Sequence, residues 1–106
     1  MMLGRRRRFR ELVERQLDLF AEDEAELLAE ATEADSAWTS ADPEETEELY
    51  GDYQLVVDAI GEALYDLRET YAATLDEESA DEYRAAFNRG AAKRFRRFAA
   101  FLEDEP

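Results

Sequence analysis

Only one proline, Pro43, falls inside this chain of 106 residues; the other is Pro106 at its end, and there are four glycines. A β protein needs turn residues every few positions, and this sequence does not supply them. The stretches on either side of Pro43 are rich in Ala, Glu, Leu and Arg, all strong helix formers. The chain therefore reads as all-α. Its length fits one domain that can bury roughly two-thirds of its unfolded surface, enough for a core without staples.

Apolar spacing divides the chain into three long helices, at about 5–33, 43–75 and 80–102. On the first, Phe9, Val13, Phe20, Leu27 and Ala31 share a face, flanked by Leu17 and Leu28 on one side and Leu12 and Leu19 on the other. The second follows a cap at Ser40 or Asp42, with Pro43 in the first turn, where its missing N–H costs nothing. Its seam is Leu49, Tyr53, Val56, Ile60, Ala63, Leu67 and Thr70, widened by Val57, Leu64 and Tyr71. The third opens on a capping-box signature, Ser79 with Glu82. Its stripe is Tyr83, Phe87, Ala91, Phe98 and Phe101, with Ala86, Gly90, Phe95 and Leu102 alongside, and Gly90 suits a close helix crossing. Residues 1–8 read as a basic extension or the start of the first helix, and 9–106 as a single helical domain.

The charge pattern selects a topology. Net charge is −15, but residues 1–15 carry +4, residues 16–83 carry −22 and residues 84–97 carry +6. In an up-down-up antiparallel three-helix bundle, the first and third helices run parallel. The basic start of the first then meets the acidic start of the third. The basic end of the third meets the acidic end of the first. Asp23 and Glu24 interrupt the first stripe and Arg94 the third, so they are expected to meet as a buried or half-buried ion pair.

Composition also removes whole classes of chemistry. Without cysteine or histidine there is no disulfide, thiolate site or imidazole base. The Glu-x-x-His pattern of carboxylate-bridged di-iron bundles cannot be met. Most acids fall on outer helix faces and read as solvated. No nucleophile, phosphate loop or metal motif stands out, so the expectation is a non-enzymatic protein with no catalytic residue, metal or cofactor. The basic N-terminus is not followed by an apolar stretch, and no run approaches the ~18 apolar residues of a membrane span. A cytoplasmic location is expected.

Three interaction surfaces are candidates. Leu12 and Leu19 on the first helix, with Leu55 and Ala59 on the second, fall outside the main seams. They suggest a homodimer through helices one and two. Arg5, Arg6, Arg7 and Arg8, with Phe9, could bind polyanions or an anionic membrane surface. The acidity of the whole molecule opposes both, and neither nucleic acid nor membrane is the expected partner. The third is "QLDLF": Gln16, Leu17, Asp18, Leu19 and Phe20. It resembles the pentapeptide by which many bacterial proteins hook onto the DNA sliding clamp. That resemblance implies Gln16 in the glutamine position, Leu17, Leu19 and Phe20 in apolar subsites, and a clamp-associated role in replication or repair. It covers five residues, and Leu17 and Phe20 also face the predicted core.

Trp38 lies between the first two predicted helices. The small secreted helical-hairpin family has Trp-x-Gly at a similar bend and a Tyr-x-x-x-Asp/Glu signal, which Tyr65 to Glu69 matches. Here the bend reads Trp38-Thr39-Ser40, without the glycine, so Trp38 is expected to be a lid over the end of the core. The leading expectation is a small helical interaction protein.

Overall fold

The computed structural model of the chain describes residues 8–98. Among them are four helices and no strand: α1 (Arg10–Asp23), α2 (Ala25–Thr39), α3 (Pro43–Ala72) and α4 (Glu77–Arg94). The expectation of three helices is thereby corrected to four. The first predicted helix is divided at Glu24, where the backbone has φ −108° and ψ 27°, well away from helical ψ. It also continues six residues past its predicted end of Glu33, to Thr39.

The break has a packing cause. α1 packs along α4, whereas α2 packs along α3. A bend between them lets each half face its own neighbour. The hydrogen-bond ladder crosses the bend, with Glu24 N–H donating to Phe20 O at 2.8 Å and Leu28 N–H to Glu24 O at 2.9 Å. Phe9, Val13, Leu17, Phe20 and Ala31 are buried, while Leu12, Leu27 and Leu28 lean on them.

Helix directions follow from paired residues. Phe9 meets Tyr83 edge-on at 5.5 Å and Phe20 meets Phe95 at 5.6 Å. Between them, a Cβ on Gly90 would lie 2.8 Å from Val13 Cγ1 and 3.2 Å from Leu17 Cδ1. α1 and α4 therefore run in the same direction, and the missing side chain sets their separation. Arg84 reaches Glu69 and Asn88 reaches Arg68, so α4 runs antiparallel to α3.

Two local expectations shift. α4 begins earlier than predicted, because Asp76 and not Ser79 is the cap: its carboxylate accepts the Ser79 N–H at 2.8 Å. Ser79 itself is buried in the first turn. At the other end, the helix stops at Arg94 and Phe95 leaves helical geometry. Phe101 and Leu102 lie outside the described residues. On α3 the buried row is Ile60, Leu64, Arg68 and Ala72, at four-residue intervals. This is a rotation from the predicted seam toward α4, and it leaves Thr70 exposed. Asp42 takes the cap position of α3 with Pro43 next.

The blocks of opposite charge meet end to end. Arg8 lies 3.5 Å from Glu82, and Arg97 pairs with Asp35. Arg94 does not meet Asp23 or Glu24 as expected. It pairs with Asp18, one turn earlier on α1, and both side chains are well exposed. Such exposed pairs contribute about 0–1 kcal/mol each.

Gly90→Ala tests the close crossing. Alanine would gain about 1 kcal/mol of helix propensity, but its methyl would press on Val13, whose branched side chain is stiff. Overpacking of this kind costs about 1–3 kcal/mol, so urea unfolding should show a net loss of stability. The double variant Gly90→Ala/Val13→Ala should be less destabilised than the sum of the two single changes. Strict additivity would show that the crossing is not tight.

Candidate interaction surface

The "QLDLF" residues occupy the middle of α1, and its 3.6-residue repeat sends them in different directions. Leu17 is 2% exposed and Phe20 6%. Gln16 is half-buried, and its Oε1 accepts a hydrogen bond from the Tyr83 hydroxyl at 2.8 Å. Asp18 is held by Arg94. Leu19 projects outward, at 58% exposure. A partner that used Gln16, Leu17 and Phe20 together would have to open α1 from α4.

Tyr83 ties this stretch to a buried polar network. Its ring lies 4.7 Å from that of Tyr71, and burial pushes its phenol up to about 12, against the pull of the Gln16 hydrogen bond. Beside it is Arg68, only 3% exposed. Its Nε donates to Glu69 Oε2 at 2.8 Å and its Nη1 to Asn88 Oδ1 at 2.9 Å, while its guanidinium lies 5.0 Å from the centre of the Tyr65 ring. Arg84 clamps Glu69 from α4 with two bonds, at 2.9 Å and 3.0 Å. The Arg84 hydrogen bonds hold the Glu69 carboxyl below its usual range despite burial, with Arg68 adding to the effect. Nothing in the chemistry reading of the sequence singled out Arg68. The signal was its place in the four-residue row of Ile60, Leu64 and Ala72.

Of the predicted dimer residues, Leu19 lines a groove between α1 and α3. Leu55, Ala59, Ala63 and Leu67 follow at four-residue intervals down α3. Ala63 and Leu67 line a cavity of about 310 Å³ with Gln16, Leu19, Phe20, Asp23 and Glu24 of the facing helix. Leu55 is 70% exposed and Ala59 half-buried. Leu12 differs from its partners, since it packs partly against the core. Asp23 and Glu24 therefore rim a groove between α1 and α3; they do not pair with Arg94.

Of the four arginines proposed for polyanions, Arg8 is paired with Glu82, and Arg5, Arg6 and Arg7 lie outside the described residues. Trp38 is not a lid on the core. It belongs to α2 and packs on Tyr50 and Tyr53 of α3 at the far end of the molecule. Among the described residues, no three acidic side chains converge to hold a metal ion. No helix among them is long and apolar enough to cross a membrane. Comparison with protein-family models, with curated proteins and with solved structures finds no match to this chain.

Two measurements check this arrangement. A peptide spanning Arg15 to Asp23 is expected to bind a bacterial sliding clamp more tightly than the folded protein does, because folding takes up Gln16, Leu17 and Phe20. Equal affinities would mean that α1 opens readily. For the polar network, Glu69→Leu should be clearly destabilising, because it removes the carboxylate that Arg68 and Arg84 share, and Arg68→Met should cost less. The Arg84 and Arg68 contacts hold the Glu69 carboxyl below its ordinary range when folded, so its contribution is present above that range and is lost as pH falls through the lowered folded value. Urea midpoints measured against pH should show an acid loss in the wild type that is reduced in Glu69→Leu.

Proposed function

We propose that this chain is a small, non-enzymatic interaction protein that forms a homodimer. In this reading α1 and α2 act as one bent arm of an up-down-up bundle, and the α1–α3 flank of one copy meets the same flank of another. The observation that carries it is the strong exposure of Leu19 and Leu55, with Leu19 lining an apolar groove beside Ala63 and Leu67. A soluble monomer has little reason to keep such side chains in water. A two-fold interface would use each of them twice.

The sliding-clamp reading needs α1 to come away from α4, breaking the Tyr83–Gln16 bond and exposing Leu17 and Phe20. The geometry therefore favours self-association over clamp binding. The polyanion reading loses Arg8 to Glu82 and works against a net charge of −15.

Sedimentation equilibrium is expected to show a dimer at micromolar concentration. Leu19→Glu and Leu55→Glu should each shift it toward monomer without loss of helicity, because both side chains are exposed. The rims of the groove carry Asp23 and Glu24, and both copies are acidic, so added salt should tighten the dimer by screening. A wild-type monomer at every concentration would rule out the proposal.

A further inference from the structure

The far end of the α2–α3 hairpin holds a second opening, on the side where α4 ends. It is a cleft of about 550 Å³, lined by Trp38, Tyr50, Tyr53 and Val57 with Asp35 and Asp58. Trp38 meets Tyr50 edge-on at 4.9 Å, and Tyr53 lies 6.1 Å from Trp38 and 6.2 Å from Tyr50. This apolar group is not spent on the core: Trp38, Tyr50, Tyr53 and Val57 lie outside the buried cluster and the side chains packed on it.

The electrostatics of the cleft are one-sided. Residues 16–67 contain 17 acids and no Lys or Arg. Among the described residues, the cation that reaches the cleft comes from beyond α4: Arg97 lines it and pairs with Asp35. Asp35 also accepts from the Trp38 indole N–H at 3.2 Å, so this carboxylate is held in place against the aromatic wall. The Arg97 guanidinium thus sits on the carboxylate that also holds the Trp38 indole N–H. Asp58, on the opposite side, is exposed.

We propose that the Trp38–Tyr50–Tyr53 cleft docks an arginine-bearing peptide segment of a partner protein. The guanidinium would stack on the aromatic rings, with Asp58 and Asp35 as its counter-charges and Arg97 as the internal group it competes with. Ring faces attract cations most strongly when partly desolvated. Arginine matches this surface better than lysine, because its planar, weakly hydrated head both stacks on rings and bonds carboxylates in a fork. This inference rests on the reading of the chain as an interaction protein but uses a different surface from the dimer flank.

The test uses the one tryptophan of the chain, which stands in the cleft. Trp38 fluorescence is followed as hexa-arginine or hexalysine peptide is added to the full chain. Hexa-arginine is expected to give a saturable change and to bind more tightly than hexalysine. Tyr50→Ala should weaken it about tenfold, the loss of one good cation–π contact. Asp58→Asn should weaken it more than Glu47→Gln, an exposed acid outside the cleft. Arg97→Ala should strengthen it, and by more than Arg96→Ala, which removes the same charge one residue away. Unchanged melting temperatures would show that these variants fold.

Four results would overturn the proposal. One is the absence of a Trp38 response. Another is equal binding of the two peptides. A third is equal loss in Asp58→Asn and Glu47→Gln, which marks a polycation spread over an acidic surface. The last is an uncharged phenylalanine peptide that binds as well as hexa-arginine and is indifferent to salt, which would assign the cleft to an apolar partner. A dimer that persists while the peptides fail removes the cleft alone. A monomer that still binds hexa-arginine removes the dimer alone.

Discussion

A guanidinium that is almost wholly out of water must be paired, or it destabilises the fold by several kcal/mol. Arg68 sets that condition for the whole molecule. It sits in the middle of the buried row of α3, so α4 must present a partner there, and Asn88 does so. Glu69, held in turn by Arg84, supplies the charge. These contacts fix both the height and the rotation of α4 against α3. With α4 so placed, Tyr83 points at Gln16 and Gly90 faces Val13 and Leu17. The seat of α1 follows from the seat of α4, and with it the burial of the stretch that looked most like a binding motif.

The apolar faces were largely legible from spacing alone. Phe9, Val13, Leu17, Phe20 and Ala31 were placed on or beside the core face of the first helix, and Tyr83, Phe87, Ala91 and Phe95 on the last. Periodicity sees which residues share a face, but not which neighbour that face meets. The bend at Glu24 was missed for that reason: it arises because the two halves of the rod pack on different helices. The rotation of the α3 seam has the same origin. Ser79 with Glu82 matches the capping-box signature, but the cap is Asp76. Only the carboxylate accepting the Ser79 N–H decides between them.

The candidate surfaces were legible to different degrees. Leu19 and Leu55 stood out because an apolar side chain off the seam is visible in any helical wheel. The aromatic cleft did not stand out. Tyr53 and Val57 read as seam residues, and Trp38 as a lid, because a sequence cannot show where the neighbouring helix stops. α4 ends at Arg94, too early to cover the outer half of the α2–α3 hairpin among the described residues. Residues that would be core beside a longer helix become the walls of an opening.

Burial is therefore graded along the molecule. Where α1, α3 and α4 come together, Val13, Leu17, Ile60, Leu64, Tyr83 and Phe87 are nearly or fully buried. In α2 the only buried residue is Ala31, and on α3 none precedes Ile60. The hairpin end is held by two-sided helix contacts, rings and hydrogen bonds to carbonyls such as those of Thr39 and Ser40 to Ser36. Residues 25–59 there carry 11 acids and no Lys or Arg, and their mutual repulsion is weakest when the charges stay in water. Segments with few buried contacts open at lower free energy than the core. Buried packing is thus unevenly divided between the two ends. One end spends its apolar surface on a tightly specified three-way contact, with a buried arginine fixing its register. At the other, aromatic rings pack on one another and carboxylates lie partly in water, with Asp35 tied to Trp38 and Arg97.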